Sequence, residues 1–295
     1  MQNDIPLYSL THIQRGILQS ELLYPQLLTN NICTSLTYPE KLHPEYLKKA
    51  IRYIIENNEI LRTRIVRHDN QYLQTTASFS HRCIKCFDMS DCSDEEIEKH
   101  FTNFAQKKIN VFAPQIYAFC IIKLPENKTC IYLKFHHIIS DSWSLFLFEK
   151  QLYASYQIFL KNKTPDLPSQ SLSAYLKYEN DYMQSPLFTS DSKYFLQSEV
   201  AVKSPFHDHY SKSLNAQRMC FTLTLKETQQ LQDFCIQNKT SPFIVIISAL
   251  SIWFSKTACT DSFHILTPVR NRSNLAQKNS YGLFVNTLPD RKSVV

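Results

Sequence analysis

Glycine is nearly missing, with 2 residues in 295. A phosphate-cradling loop needs several glycines at fixed spacing, so neither the nucleotide nor the dinucleotide type is present, and ATP, GTP and NAD are disfavoured as cofactors. A large excess of one charge sign is lacking too. The net charge is +6, but 32 Lys and Arg residues are scattered among 26 acids, and the densest basic cluster is Arg270-Asn-Arg272. Without a basic stripe or a binding motif, no nucleic-acid role is expected. Nor is there a long hydrophobic run. The longest, Phe243 to Phe254, is 12 residues interrupted by serines, whereas a bilayer-spanning helix needs about 20. The amino terminus, Met1-Gln-Asn-Asp-Ile-Pro6, has no charged-then-apolar signal. A cytoplasmic protein without membrane association is expected, and the sequons at Asn127, Asn162 and Asn238 then carry no meaning.

Cysteine is not scarce, but a cysteine framework is. The nine cysteines are an odd, irregularly spaced set. Cys83-Ile-Lys-Cys86 has no second pair, and His81 and Cys92 do not complete a zinc spacing. Arg82 to Phe87 reads as a strand with the two thiols on opposite sides, so buried free thiols in a reducing compartment are expected.

What is present is apolar content, 43% over 295 residues. That suffices for one large or two modest domains. Ser9 can cap a first helix, and Pro44 suits the first turn of a second. Leu61 to Arg67 and Gln71 to Thr76 read as a hairpin around Asp69-Asn70. Ser93 and Glu96 form a capping box. Gln115 to Lys123 and Thr129 to Ile139 read as a hairpin turned at Pro125 to Asn127. The polar, proline-broken stretch Lys161 to Gln170 is the expected boundary, giving lobes 1–165 and 166–295. Helices are expected at Ser171 to Gln184, Lys226 to Asn238 and, capped by Ser241, Phe243 to Lys256. Strands are expected at Arg218 to Leu225 and Ser262 to Val269. This mixture indicates an α/β layered architecture.

The most informative stretch runs from Thr129 to Leu145. Its first half alternates, with Ile131, Leu133, Phe135, His137 and Ile139 on one face and Tyr132, Lys134, His136 and Ile138 on the other. His137 is thereby placed on the buried side. After Asp141 the period changes, and Leu145, Phe148, Leu152, Tyr156 and Phe159 form a helical stripe. Along an extended chain, positions 137 and 141 lie roughly 13 Å apart, too far to share a zinc ion, so no metal site is expected. His137 reads either as a core histidine satisfied by hydrogen bonds or as a desolvated, neutral imidazole able to accept a proton.

His136-His137-Ile-Ile-Ser-Asp141-Ser142-Trp143 resembles the His-His-x-x-x-Asp-Gly motif of nonribosomal peptide synthetase condensation domains, members of the chloramphenicol acetyltransferase-like acyltransferases. Three further regions match in order: Pro6 to Ile17, Asn58-Glu-Ile-Leu-Arg62-Thr-Arg64, and Thr267 to Arg272 with Tyr281 to Pro289. The resemblance implies a two-lobed fold with a tunnel between the lobes. Phosphopantetheine arms of donor and acceptor peptidyl carrier domains enter it, and an acyl or peptidyl thioester is joined to an aminoacyl amine. No bound cofactor is implied; an adenylation domain in the full-length protein is a further implied partner.

By the same resemblance His137 is catalytic and His136 structural. Asp141 pairs with Arg62, which on its own would read as a surface arginine, and so braces the loop. Ser142 and Trp143 lie beside the substrate. Ser142 replaces the family's glycine, Asn58 replaces a histidine, and family members continue well past Val295, so an incomplete second lobe is expected. Epimerising and heterocyclising variants are disfavoured by the position of Trp143 and by the intact histidines. The alternatives are a silent module that docks carrier domains and a stand-alone coenzyme A-dependent acyltransferase.

Overall fold

A computed structural model of the chain describes residues 6–80, 83–197, 219–259 and 263–290. Short β1 (Tyr8–Ser9) leads into α1 (His12–Leu23). Thr11, not Ser9, caps α1, because its hydroxyl accepts from Gln14 N while the Gln14 side chain returns a bond to the Thr11 N–H. β2 (Asn31–Tyr38) and α2 (Pro44–Glu56) follow, then a 3-10 turn (Glu59–Arg62). The expected hairpin forms as β3 (Thr63–His68) and β4 (Gln71–Thr76), and Asp69 and Asn70 take the positive φ that its two-residue turn requires. After β5 (Lys85–Asp88), α3 (Asp94–Gln106) carries the Ser93–Glu96 capping box.

β6 (Tyr117–Lys123) and β7 (Thr129–His136) make the second hairpin. β7 stops at His136 rather than Ile139, because His137–Ile139 closes a 3-10 turn before α4 (Ser142–Leu160). α5 (Leu172–Met183), α6 (Pro186–Gln197), α7 (Leu225–Gln237) and α8 (Pro242–Ala258) follow. Finally come β8 (Ile265–Val269), the short α9 (Leu275–Lys278) and β9 (Asn286–Asp290). The strand expected from Arg218 is not formed by its described part, 219–224, and Thr224 instead caps α7. His81, Arg82, Arg218 and Ser262 lie outside the described residues.

The main sheet has the order β2-β7-β6-β5. β7 is buried along its whole length, on both faces. On one face Phe119 and Phe135 pack on Phe148 of α4, at 5.3 and 5.4 Å between ring centroids, over the core that α2 supplies through Leu47, Ala50, Ile51 and Ile54. On the other, Tyr132 meets Phe101 of α3 at 5.0 Å. The period-two pattern therefore does not separate buried from exposed, because a helix covers each face. Lys134, on the α3 face, is 2% exposed. Its ammonium donates to the Phe104 and Lys107 carbonyls at the end of α3, and burial pulls its pKa down. The thiols are free, but Cys83, Cys86, Cys220 and Cys259 are exposed, contrary to the expectation of buried ones; only Cys120, Cys130 and Cys235 are buried.

The chain divides into one unit of residues 1–189 with 270–286 and another of 190–269 with 287–295. The first extends past the expected boundary at 165 because α5 is bonded into it. Glu59 accepts from Leu172 N at 2.8 Å, Glu179 from His12 N at 2.8 Å, and the Tyr175 hydroxyl donates to the Leu283 carbonyl at 2.8 Å. The second unit contains α7, α8 and the β8-β9 pair. Among the described residues no single helix is long and apolar enough to cross a membrane, and α7 and α8, which pass that test only together, meet at 95°.

Tyr175→Phe strands the buried Leu283 carbonyl and should cost about 1–3 kcal/mol in chemical denaturation. An unchanged midpoint would remove α5 from the first unit's bonding.

Candidate active site

The two histidines of the motif part company where β7 ends. His136, the last residue of the strand, is completely buried. Its Nδ1 accepts from Ile138 N at 3.1 Å, so its proton sits on Nε2 and is donated to Glu21 of α1 at 3.1 Å. Glu21 also holds Lys108 at 2.9 Å. Desolvation pushes the His136 pKa below its ordinary 6.5, against the pull of Glu21. His137 opens the 3-10 turn and is half-buried. Its backbone N–H donates to Asn30 O at 2.7 Å, and its Nδ1 lies 2.8 Å from the Ser140 carbonyl. A carbonyl only accepts, so Nδ1 carries a proton, and whenever the ring is neutral the lone pair is on Nε2. The desolvated imidazole is thus His136 and not, as the strand alternation suggested, His137, because the turn rotates residue 137 out of the strand register.

Asp141 ends the turn as the cap of α4, accepting from Ser144 N at 2.9 Å. Its carboxylate is surrounded by donors. Arg272 Nη2 lies 2.9 Å from both oxygens, and Phe284 N and Val285 N reach Oδ2 at 3.1 and 3.2 Å. Arg272 is itself held through both terminal nitrogens. Its Nη1 donates to the Gln277 and Ser280 carbonyls, each at 2.8 Å, and its guanidinium lies 4.0 Å from the centre of the Phe284 ring. Burial pulls the Arg272 pKa down, while Asp141 opposes that shift. The side chains of Arg272 and Asp141 are 1% and 2% exposed.

The brace of Asp141 is therefore Arg272 and not Arg62. Arg62 ends the turn that precedes β3 and spends Nη1 on the Ala77 carbonyl at 2.8 Å, tying down the end of the β3-β4 hairpin. Ser142, in place of the family's glycine, is exposed at the first position of α4. The Trp143 indole donates to the Lys278 carbonyl at 2.7 Å and lies 5.0 Å from the Arg270 guanidinium, so it fastens the first turn of α4 to α9.

The profile of the family described as "Condensation domain" matches residues 5–294. The chain belongs to the condensation domain family. This condensation domain is similar to a plipastatin synthase polypeptide of Bacillus subtilis (strain 168), with 26% identity over 298 residues, which is 97% of this chain and 12% of that protein. It is also similar to surfactin synthase subunit 1 of the same strain, at 24% identity over 99% of this chain and 8% of that protein. It therefore spans only a small part of the length of these curated relatives. Among solved structures it resembles the first condensation domain of the CDA synthetase, with a TM-score of 0.81 and 17% identity over 97% of this chain and 69% of that one. The starter condensation domain of rhizomide synthetase RzmA, a variant in complex with C8-CoA, gives 0.80 and 19% over 96% and 65%. The chloramphenicol acetyltransferase-like α/β fold is thereby established for the condensation domain.

In the sequence Arg272 stands in a matching segment but has no visible role, since nothing local connects it to an acid 131 positions away. Gly282 is a visible signal. It has φ of +132°, and a Cβ there would lie 2.5 Å from a Tyr175 ring carbon, so the loop carrying Phe284 to Asp141 admits only glycine.

Arg272→Leu leaves a buried carboxylate unpaired and should cost about 3–5 kcal/mol. Arg62→Ala should cost about 1 kcal/mol, and the reverse ranking in urea unfolding would return the bracing role to Arg62. Because folded His136 is held neutral, the unfolded chain binds the extra proton below its ordinary 6.5. Stability should fall as pH drops through that value and be retained above it; flat unfolding midpoints between about pH 7.5 and about pH 5.5 would contradict this.

Proposed function

We propose that the chain forms an amide bond between an acyl or peptidyl thioester on a donor carrier domain and the amine of an aminoacyl thioester on an acceptor carrier domain, as part of a nonribosomal peptide synthetase. The observation that carries this reading is the state of His137. Its Nδ1 is fixed on the Ser140 carbonyl, and among the described residues none hydrogen-bonds to Nε2. A neutral imidazole held by one nitrogen can receive or orient an amine proton through the other. The acceptor amine attacks the thioester carbonyl, the C–N bond forms, and the amine proton passes to Nε2. As the tetrahedral intermediate collapses, the C–S bond breaks and the departing thiolate takes that proton, which restores the ring. His136, Asp141 and Arg272 support the turn without entering the reaction.

Both substrates arrive on phosphopantetheine arms, and no resident cofactor takes part. Adenylation domains would charge the acceptor, and the free thiols suit a reducing, cytoplasmic setting. The rhizomide synthetase domain was solved with C8-CoA, which favours an acyl-coenzyme A donor as the second reading. His137→Ala should abolish product formation from loaded carrier proteins, followed by intact-mass spectrometry, while leaving the melting temperature near that of the parent. An undiminished yield sinks the proposal. Product from an acyl-coenzyme A donor alone would select the second reading.

A further inference from the structure

We infer that helix α1 sets the position of the His137 ring, with Gln14 and Glu21 as positioning residues that fix the Ile138 backbone from its two ends. The inference rests on the proposed role of His137 for its consequence, but not for its geometry. Gln14, Leu18 and Glu21 are the buried residues of α1, at spacings that put them on one face. Two of the three are polar, and both face the turn that carries His137.

Gln14 is fully engaged. Its Nε2 donates to the Ile138 carbonyl at 3.1 Å and to Gln74 Oε1 at 3.0 Å. Its Oε1 accepts from Thr11 N at 2.9 Å and from Gln74 Nε2 at 2.8 Å. The reciprocal amide pair is completed by Gln74 Nε2 donating to the Ser9 carbonyl at 2.9 Å. Gln14 and Gln74 are 1% and 0% exposed, so an unmade bond in this set has no water to replace it. Glu21 works through His136. By accepting the Nε2 proton at 3.1 Å it leaves Nδ1 free to accept the Ile138 N–H at 3.1 Å.

The N–H and C=O of Ile138 are thus both held by side chains, and both lines of contact lead back to α1. Ile138 lies between His137 and Ser140, whose carbonyl fixes the His137 ring. A shift of the 138 backbone therefore moves the ring and its anchor together, and displacement of a reacting group by about 1 Å can cost about 100-fold in rate.

The test uses the full chain with ¹⁵N-labelled histidine. In the parent the His137 ring nitrogens should report an Nδ1–H tautomer. Gln14→Leu removes the donor to the Ile138 carbonyl, so those resonances should move toward a mixed tautomer, and kcat for condensation should fall about 10- to 100-fold with little change in KM. If Gln14→Leu fails to fold, Gln14→Glu, which keeps the acceptor for Thr11 N, is read the same way. Met89→Ala, in the separate cluster with Ile122 and Tyr132, should lower the melting temperature without moving the His137 resonances. Unchanged His137 nitrogens in a folded Gln14 variant, or an equal movement in Met89→Ala, would overturn the inference. A parent that makes no amide product would defeat the functional reading alone, because the resonance comparison still judges the positioning.

Discussion

The buried carboxylate of Asp141 is the constraint on which the first unit's functional region depends. A carboxylate this deep is tolerable only if each oxygen is met by donors, because the loss of water otherwise costs several kcal/mol. Here it is met by a guanidinium and by backbone N–H groups drawn from both sides of the chain: Ser144 on α4 and Phe284 and Val285 more than 140 positions away. Satisfying one charge thus fixes the start of α4, the end of the histidine turn and the loop from Arg272 to Val285 in a single arrangement. The charge also suits the amino end of a helix, where the peptide dipoles favour an anion.

The same logic explains why the two adjacent histidines differ. β7 is sandwiched, so a polar side chain on either face must find a partner inside the protein. Lys134 finds helix-end carbonyls, and His136 finds Glu21 and the Ile138 N–H. Both are consumed by structure. His137 leaves the strand register as the chain turns, keeps partial exposure, and satisfies one nitrogen on Ser140. An imidazole with one nitrogen anchored and the other without a hydrogen-bond partner among the described residues is suited to proton handling, whereas the fully bonded ring beside it is suited to support.

For the proposed condensation the geometry of the turn speaks to placement. An amine is itself a nucleophile and a thioester an activated acyl group, so in the proposed reading what the protein would add is an imidazole held at a fixed point. A rigid turn tied to α1, β2, α4 and the Arg272 loop supplies that fixed point.

The sequence by itself determined much of the local structure. The Asp69-Asn70 turn, the Ser93–Glu96 box, the strand-turn-helix from Thr129 to Leu160 and the family match through His136, His137 and Asp141 were all legible, because each rests on neighbours within a few positions. Tertiary structure alone decided the rest. It assigned Arg272 rather than Arg62 to Asp141, since a charge pair is set by which guanidinium the fold brings within 3 Å, and both candidates stood in matching segments. It buried His136 more deeply than His137, because α1 brings Glu21 against the last residue of the strand while the 3-10 turn takes His137 out of the strand register. It also carried α5 across the expected boundary at 165, through bonds from Glu59 and Leu283 that no local pattern encodes. Periodicity reports which residues share a face; what packs on that face, and which distant donor meets a buried charge, exists only once the chain has closed on itself.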